Sequence, residues 1–283
     1  MELWFSEKHT SNVKFSIKVD RQLFCGQSEY QRIDIFDSQE FGRFLTLDGN
    51  MILTEKDEFI YNEMIVHVPM AVHPNVRKVL VIGAGDGGVL RELCRYSQVE
   101  QIDMVEVDEL LVEVCKKYLP QTGCGFGDDR VKIHHQDGLR YIRKCENEYD
   151  LIIVDPTDPF GVGEGLFSKE FYGNCYKALR EDGIMVNQHE SPFYGEDVYV
   201  MNRTHKRIVG SFPITKVYQA HIPTYPAGHW LFGFASKKYH PIRDLDAVRW
   251  SSLGIDTKYY NTRLHVGAFA LPNYVENVLK EVE

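Results

Sequence analysis

The chain has 283 residues, enough to bury a sizeable core in one large domain or in a main domain with a small companion. Its 32 lysines and arginines stand against 41 aspartates and glutamates, a formal charge of -9. That balance argues against a nucleic-acid surface built on phosphate neutralisation and favours a small cationic substrate. The start, "MELWFSEKHTSNVKF", has charges interrupting every apolar run, and no stretch reaches the about 18 apolar residues of a membrane span, so a cytoplasmic protein without membrane contact is expected.

From about Lys14 to Glu55 the chain alternates apolar and polar residues in short runs, "KFSIKVDRQLF", "YQRIDIFDS" and "RFLTLDGNMILTE", with turn signals at Gly26, Gly42 and Asp48-Gly49. This period of two predicts antiparallel strands and hairpins. In "DEFIYNEMIVHVPMAVHP", Phe59, Ile60, Met64 and Val68 fall near helical spacing, and the helix is expected to end at Pro69 and Pro74.

Beyond it, the apolar runs "KVLVIG", "QIDMVEVD", "VKIHHQD", "YDLIIVDP" and "GIMVNQ" are separated by helical segments such as "GGVLRELCRYS", "ELLVEVCKKYL" and "SKEFYGNCYKALRED". Near-continuous apolar strands alternating with helices imply a parallel sheet covered on both faces. The stretch "TKVYQAHIPTYPAGHWLFGFASKK" reads as two further strands around a Pro-Ala-Gly turn, added antiparallel at one edge. The fold class is thus α/β: a doubly wound, mostly parallel Rossmann-like sheet, as in class I methyltransferases, with a small N-terminal antiparallel β-domain. The division is expected at residues 1–60 and 61–283. The six cysteines (Cys25, Cys94, Cys115, Cys124, Cys145 and Cys175) contain no C-x-x-C pair, so buried free thiols are expected, with neither a zinc site nor a disulfide framework.

In such a sheet ligands sit outside the carboxyl ends of the strands, which singles out four places. Gly83, Gly85 and Gly87 allow a tight turn and close approach of the backbone to a ligand. Glu106, 23 residues beyond Gly83, ends the second strand, where it can accept both hydroxyl hydrogens of a ribose. Asp137 and Gly138 follow the third strand; Asp137 suits an exocyclic adenine amine and is equally a helix N-cap candidate. Asp155 and Asp158 bracket a stiff Pro156-Thr157 turn after the fourth, where a carboxylate can orient a cationic amine and accept its proton.

Asp86, within the glycine loop, separates two classes of nucleoside ligand. A dinucleotide would bring its pyrophosphate to the helix N-terminus, and Asp86 would repel it. A nucleoside sulfonium carries no phosphate, and its amine-bearing tail can pair with the acid.

The ordered series "LWFSEKHT", "YQRIDIFDS", "FGRFLTLDG", "DEFIYNEM", "VIGAGDGGVLREL", "VEVDE", "DDRVKIHHQDG", "DPTDPFGVGEGLF", "IPTYPAGHW" and "AFALPNYV" resembles the polyamine aminopropyltransferases, the spermidine synthase family, over essentially the whole length. The resemblance implies transfer of a 3-aminopropyl group from decarboxylated S-adenosylmethionine, a co-substrate, to putrescine, giving spermidine and 5'-methylthioadenosine without cofactor or metal. It implies Gln31, Glu106, Asp137 and Gly138 on the nucleoside and Asp86 at the aminopropyl amine. Asp155 is then the proton acceptor, Asp158 helps hold the amines, Tyr61 and Tyr225 line the channel, and Gln188 and Trp230 are further channel residues. It also implies a homodimer or homotetramer, with the N-terminal strands at the interface.

Two positions depart from the pattern. Asn62 stands where many bacterial relatives have a polyamine-contacting histidine, and Val162 replaces a proline bordering the adenine. A channel altered around Asn62, His189 and Glu190 would also admit cadaverine, agmatine or a longer amine. The competing readings are a small-molecule methyltransferase using S-adenosylmethionine, which gives no reason for Asp86, Asp155 and Asp158, and a non-catalytic polyamine or nucleoside sensor.

Overall fold

The computed structural model describes residues 2–156 and 165–282. β1 (Leu3–Lys8) and β2 (Lys14–Val19) form an antiparallel pair. β3 (Arg21–Gln27), β4 (Arg32–Ser38), β5 (Gly42–Leu47) and β6 (Asn50–Thr54) then make a four-stranded antiparallel sheet. Alternation along these strands divides their side chains between two faces. Ile33, Ile35, Leu45 and Leu47 pack on Leu111, Val114 and Leu119 of the following domain, while Phe44 and Met51 pack on Ile17 and Val19 of β2.

α1 (Glu58–Val72) leads out of this sheet, and the expected division at residue 60 falls within it. The helix also runs through Pro69, where it was expected to stop, and closes with the His73 N–H donating to the Pro69 carbonyl at 2.9 Å. Val68, Met70, Ala71 and Val72 are buried in the main core, so packing outweighs the one ladder bond that proline removes.

The main sheet comprises β7 (Lys78–Gly83), β8 (Gln101–Val105), β9 (Val131–His134), β10 (Tyr149–Asp155), β11 (Leu179–Gln188), β12 (Ile214–His221) and β13 (His229–Ser236). Its order is β12-β13-β11-β10-β7-β8-β9, with β7 to β11 parallel and β13 antiparallel to both neighbours. The chain moves outward from β7 to β9 and then returns to the other side of β7 as β10, which opens a crevice between their carboxyl ends. Helices α2 (Gly88–Cys94), α3 (Glu109–Tyr118), α4 (Pro120–Gly123), α5 (Gly138–Ile142), α6 (Lys169–Ala178) and α7 (Gly195–Val209) connect the strands; α8 (Ala247–Ser252), α9 (Thr262–Ala268) and α10 (Asn273–Lys280) follow the sheet.

Both faces are apolar, as the continuous runs require. Val79 and Val81 of β7, with Leu151 and Ile153 of β10, join α1 and α2 in one core; Leu80 and Ile82, with Ile152 and Val154, join α6 and α7 in another. The run read as helix through Asp182 instead divides at Ala178, and Leu179 already pairs with Tyr149 as the start of β11. All six cysteines are free, but only Cys115, Cys145 and Cys175 are buried; Cys94 is half-buried and Cys25 and Cys124 are exposed.

Gly83 fixes the geometry of the crevice. It ends β7 at φ +86°, and a Cβ there would lie 2.0 Å from the backbone oxygen of Asp155, which also accepts from Ala84 N–H at 3.0 Å. Gly49 has a similar φ of +83° with no atom within 4 Å of its would-be Cβ. Gly49→Ala should therefore cost only the left-handed backbone penalty, about 1–2 kcal/mol. Gly83→Ala adds a collision with backbone, about 1–3 kcal/mol more, and displaces Asp155. Denaturant titration and turnover of the two variants check this; equal losses in both would refute the steric argument.

Candidate active site

A cavity of about 730 Å³ lies over the carboxyl ends of the parallel strands. Its floor is formed by the Gly83 to Asp86 loop, Glu106, Asp137, Gly138, Asp155 and Gln188. Its roof is the N-terminal sheet, which contributes Leu45, Leu47, Ile52, Leu53 and Gln31. Among the described lining residues eleven are aspartate or glutamate, whereas Lys8 is the one lysine or arginine. The negative potential read from net charge is thus concentrated here, in a crevice with low-dielectric walls.

The glycine loop leaves β7 and enters α2 through Gly87, which caps the helix at φ +87°; Gly85 lies beside Glu106. Asp86 is half-buried, and its Oδ1 accepts from the Gly88 N–H at 2.8 Å. Burial raises its pKa; the Gly88 N–H acts in the opposite sense and the charge of Glu58 adds to the rise. A phosphate at this helix start would meet that carboxyl group.

Asp155, at the end of β10, accepts a short hydrogen bond from the Tyr61 hydroxyl of α1. Burial, followed by the charge of Asp86, pushes its pKa up to about 7, against the lowering effect of Tyr61; Glu106 adds a smaller rise. Glu106 is likewise raised to about 7, mainly by burial, although its Oε1 accepts from the Asp108 N–H at 2.9 Å. Three carboxyl groups from three neighbouring strand ends therefore share one negative field. A ligand cation among them would favour the ionised forms.

Asp137 does what its position before a helix predicts: it caps α5, accepting from Arg140 N–H at 2.9 Å, and it also borders the cavity with Gly138. Gln31, in the turn between β3 and β4, borders the cavity and donates Nε2–H to Asp108 at 2.9 Å. Gln188 exchanges hydrogen bonds with Glu190, donating to its carboxylate at 2.9 Å and accepting from its backbone at 3.2 Å. Asp158 and Val162 lie outside the described residues.

Aromatic side chains form one wall. The rings of Tyr61 and Tyr225 are 6.4 Å apart, and Tyr225 stands edge-on to Trp230 at 4.8 Å. The Tyr225 hydroxyl donates to the Ile52 carbonyl of β6 at 2.9 Å, tying this wall to the roof. Burial raises the pKa of both tyrosines far above the ordinary phenol value, so both are neutral donors. Asn62 is buried beside Gly88 and donates to the Glu58 carbonyl at 3.0 Å and to its carboxylate at 2.8 Å; Glu58 in turn is held by a bidentate Arg91.

His189 does not reach the cavity. It lies between Gln188 and Glu190, both of which line it, and turns instead to a buried edge-on contact with His205 at 5.3 Å. Alternation at the end of β11 turns His189 to the face opposite Gln188. Glu190 itself adopts a left-handed φ of +68°, unusual for a residue with a side chain.

Sequence reasoning passed over Glu7, Asp57, Glu58 and Asp197, which also line the cavity. Asp57 binds Thr224 through both its N–H and hydroxyl, at 3.0 and 2.6 Å, and so joins segments far apart in the chain. The acid-rich "EKDE" at Glu55 to Glu58 was the available signal, but it reads equally as a solvated turn before a helix.

Comparison with known proteins matches this arrangement. Residues 58–246 match the model of the spermine/spermidine synthase domain, and residues 3–55 match that of the spermidine synthase tetramerisation domain. The chain is 66% identical over 283 residues to a polyamine aminopropyltransferase of Alkaliphilus oremlandii, covering 100% of both. It is 68% identical over 281 residues to one from Clostridium botulinum, covering 99% of each. Spermidine synthase from Thermotoga maritima superimposes with a TM-score of 0.95 at 46% identity, over 99% of this chain and 94% of that one. A spermidine synthase in complex with the transition state analogue AdoDATO gives 0.96 at 47% identity, over 99% and 95%. The chain belongs to the spermine/spermidine synthase family of polyamine aminopropyltransferases.

Proposed function

We propose that the chain transfers the 3-aminopropyl group of decarboxylated S-adenosylmethionine to putrescine, giving spermidine and 5'-methylthioadenosine. The observation that carries this reading is the pairing of Asp86 with Asp155 in one acidic cavity: an acid where the donor's tail ends, and a second, hydrogen-bonded to Tyr61, where an amine would attack. Decarboxylation leaves that tail with a primary ammonium, which Asp86 attracts; the carboxylate of S-adenosylmethionine would meet repulsion there. Glu106, Asp137, Gly138 and Gln31 are assigned to the nucleoside, and Tyr61, Asn62, Gln188, Tyr225 and Trp230 to the acceptor channel.

The acceptor amine gives up a proton to Asp155 and attacks the methylene of the aminopropyl group that is bonded to sulfur. A C–N bond forms as the C–S bond breaks, the electron pair returns to sulfur, and the cationic sulfonium leaves as a neutral thioether. The leaving group is already activated, so alignment of amine, carbon and sulfur is the main task, with the Tyr61 hydroxyl and aromatic wall holding the nucleophile. The match of residues 3–55 to a tetramerisation-domain model, with Leu3 and Trp4 exposed on β1, supports a homo-oligomer joined through the N-terminal strands.

Presenting each donor with putrescine and identifying products by mass tests the reading. Aminopropyl transfer from the decarboxylated donor is expected; methyl transfer from S-adenosylmethionine alone would overturn it. Asp155→Asn should retain donor binding and lower kcat by about 10², the scale of a positioned base; near-normal turnover would remove Asp155 from that role. A base must be deprotonated to act, so kcat/KM for the acceptor should fall on the acidic side, with a limb below the value of about 7 that Asp155 has in the empty site, because the bound donor's cation favours its ionised form. Because the Asp86 charge contributes to that raised value, Asp86→Asn should move the acidic limb to lower pH, and an unmoved limb would contradict the coupling.

A further inference from the structure

We propose that Asp108, which does not line the cavity, is a positioning residue that orients both groups at its nucleoside end, Gln31 from the roof and Glu106 from the floor. The inference rests on the assignment of the donor's nucleoside to that end. Asp108 is buried, with 1% exposure, and each of its polar groups has a defined use. Its Oδ1 accepts from Leu111 N–H at 3.2 Å and caps α3. Its Oδ2 accepts from Gln31 Nε2–H at 2.9 Å and from the Ser28 hydroxyl at 2.7 Å. Its backbone N–H donates to Glu106 Oε1 at 2.9 Å.

These bonds fix polarity as well as position. A carboxylate only accepts, so the Gln31 amide must turn its NH2 toward Asp108, which leaves its carbonyl oxygen as the atom available to a ligand hydroxyl or amine. Ser28 completes the turn, its oxygen accepting from the N–H groups of Tyr30 and Gln31, both at 3.0 Å. One side chain thus sets the atom that the roof presents, while its own backbone holds the carboxylate of the floor.

The test exploits that polarity. In Asp108→Asn the Leu111 N–H keeps the amide oxygen, so the new NH2 faces Gln31 donor to donor, and Gln31 has to turn over or move away. The donor KM should rise about tenfold or more, with kcat and putrescine KM little changed. Gln31→Glu should raise it similarly, by setting two carboxylates together. The double variant reverses the pair, with the amide at position 108 donating and the carboxylate at position 31 accepting, and should restore the donor KM to within about threefold of the starting enzyme. A merely structural role would show no such rescue. A donor KM within about twofold in either single variant, or a double variant as impaired as the two effects combined, overturns the inference. If Asp108→Asn alone fails to fold, by its thermal transition, Gln31→Glu and the double variant still decide it. Glu106→Gln is the separate control: an unchanged donor KM there would refute the nucleoside placement itself.

Discussion

Repulsion among Asp86, Glu106 and Asp155 is the constraint on which the remainder of the molecule depends. Each comes from a different strand end, each is raised by burial, and Asp155 is raised further by the other two. Side chains on mobile loops would relax by moving apart. Here Gly83 locks the end of β7 against the Asp155 backbone, and both faces of the sheet are sealed by apolar cores, so the acids cannot separate without disturbing packed strands. The stability of the core sustains an electrostatically unfavourable cluster that a cation relieves.

Floor and roof are chemically unlike. The floor supplies Asp86, Glu106, Asp137 and Asp155, whereas the roof supplies Leu45, Leu47, Ile52 and Leu53, with Glu7 and Asp48 as the acids of the N-terminal strands and their turns. An aliphatic chain with ammonium ends suits that contrast, since its methylenes can lie against apolar side chains while the charges reach acids. The aromatic wall combines both characters, because tyrosine and tryptophan rings tolerate methylenes and cations alike. The roof is attached partly through apolar contact with α3 and partly through buried polar ties: Gln31 to Asp108, Thr224 to Asp57, and Tyr225 to Ile52.

Much of the floor was legible in the sequence because it follows from local pattern. Continuous apolar runs locate the strands, and the rule for doubly wound sheets locates the acids at their ends, so Asp86, Glu106, Asp137 and Asp155 could be named as a group. The roof was less legible. Asp57, Glu58 and Asp197 belong to charged stretches that resemble solvated surface; Asp57 is buried against Thr224, 167 positions away, Glu58 against Arg91 of α2, and half-buried Asp197 meets His9, 188 positions away. Pro69 misled for a related reason, since a local breaker was overruled by a core that local pattern does not reveal. The boundary between α6 and β11 was blurred because Leu179 fits a helical spacing and a strand equally well. Helices α8 to α10 were passed over, although α10 places Val275, Val278 and Leu279 on one apolar face.

The tie between Tyr225 and Ile52 spans 173 positions, and that between Thr224 and Asp57 spans 167. During synthesis the acids of the floor therefore emerge well before the segment that fastens the wall to the roof, so the cavity is open to water on one side until the ribosome has passed Tyr225. Closing loops of that length costs more entropy than closing a hairpin, so these two ties belong to the long-range contacts that slow folding. The wall that closes the acidic cavity is therefore also among the last parts of its lining to be synthesised.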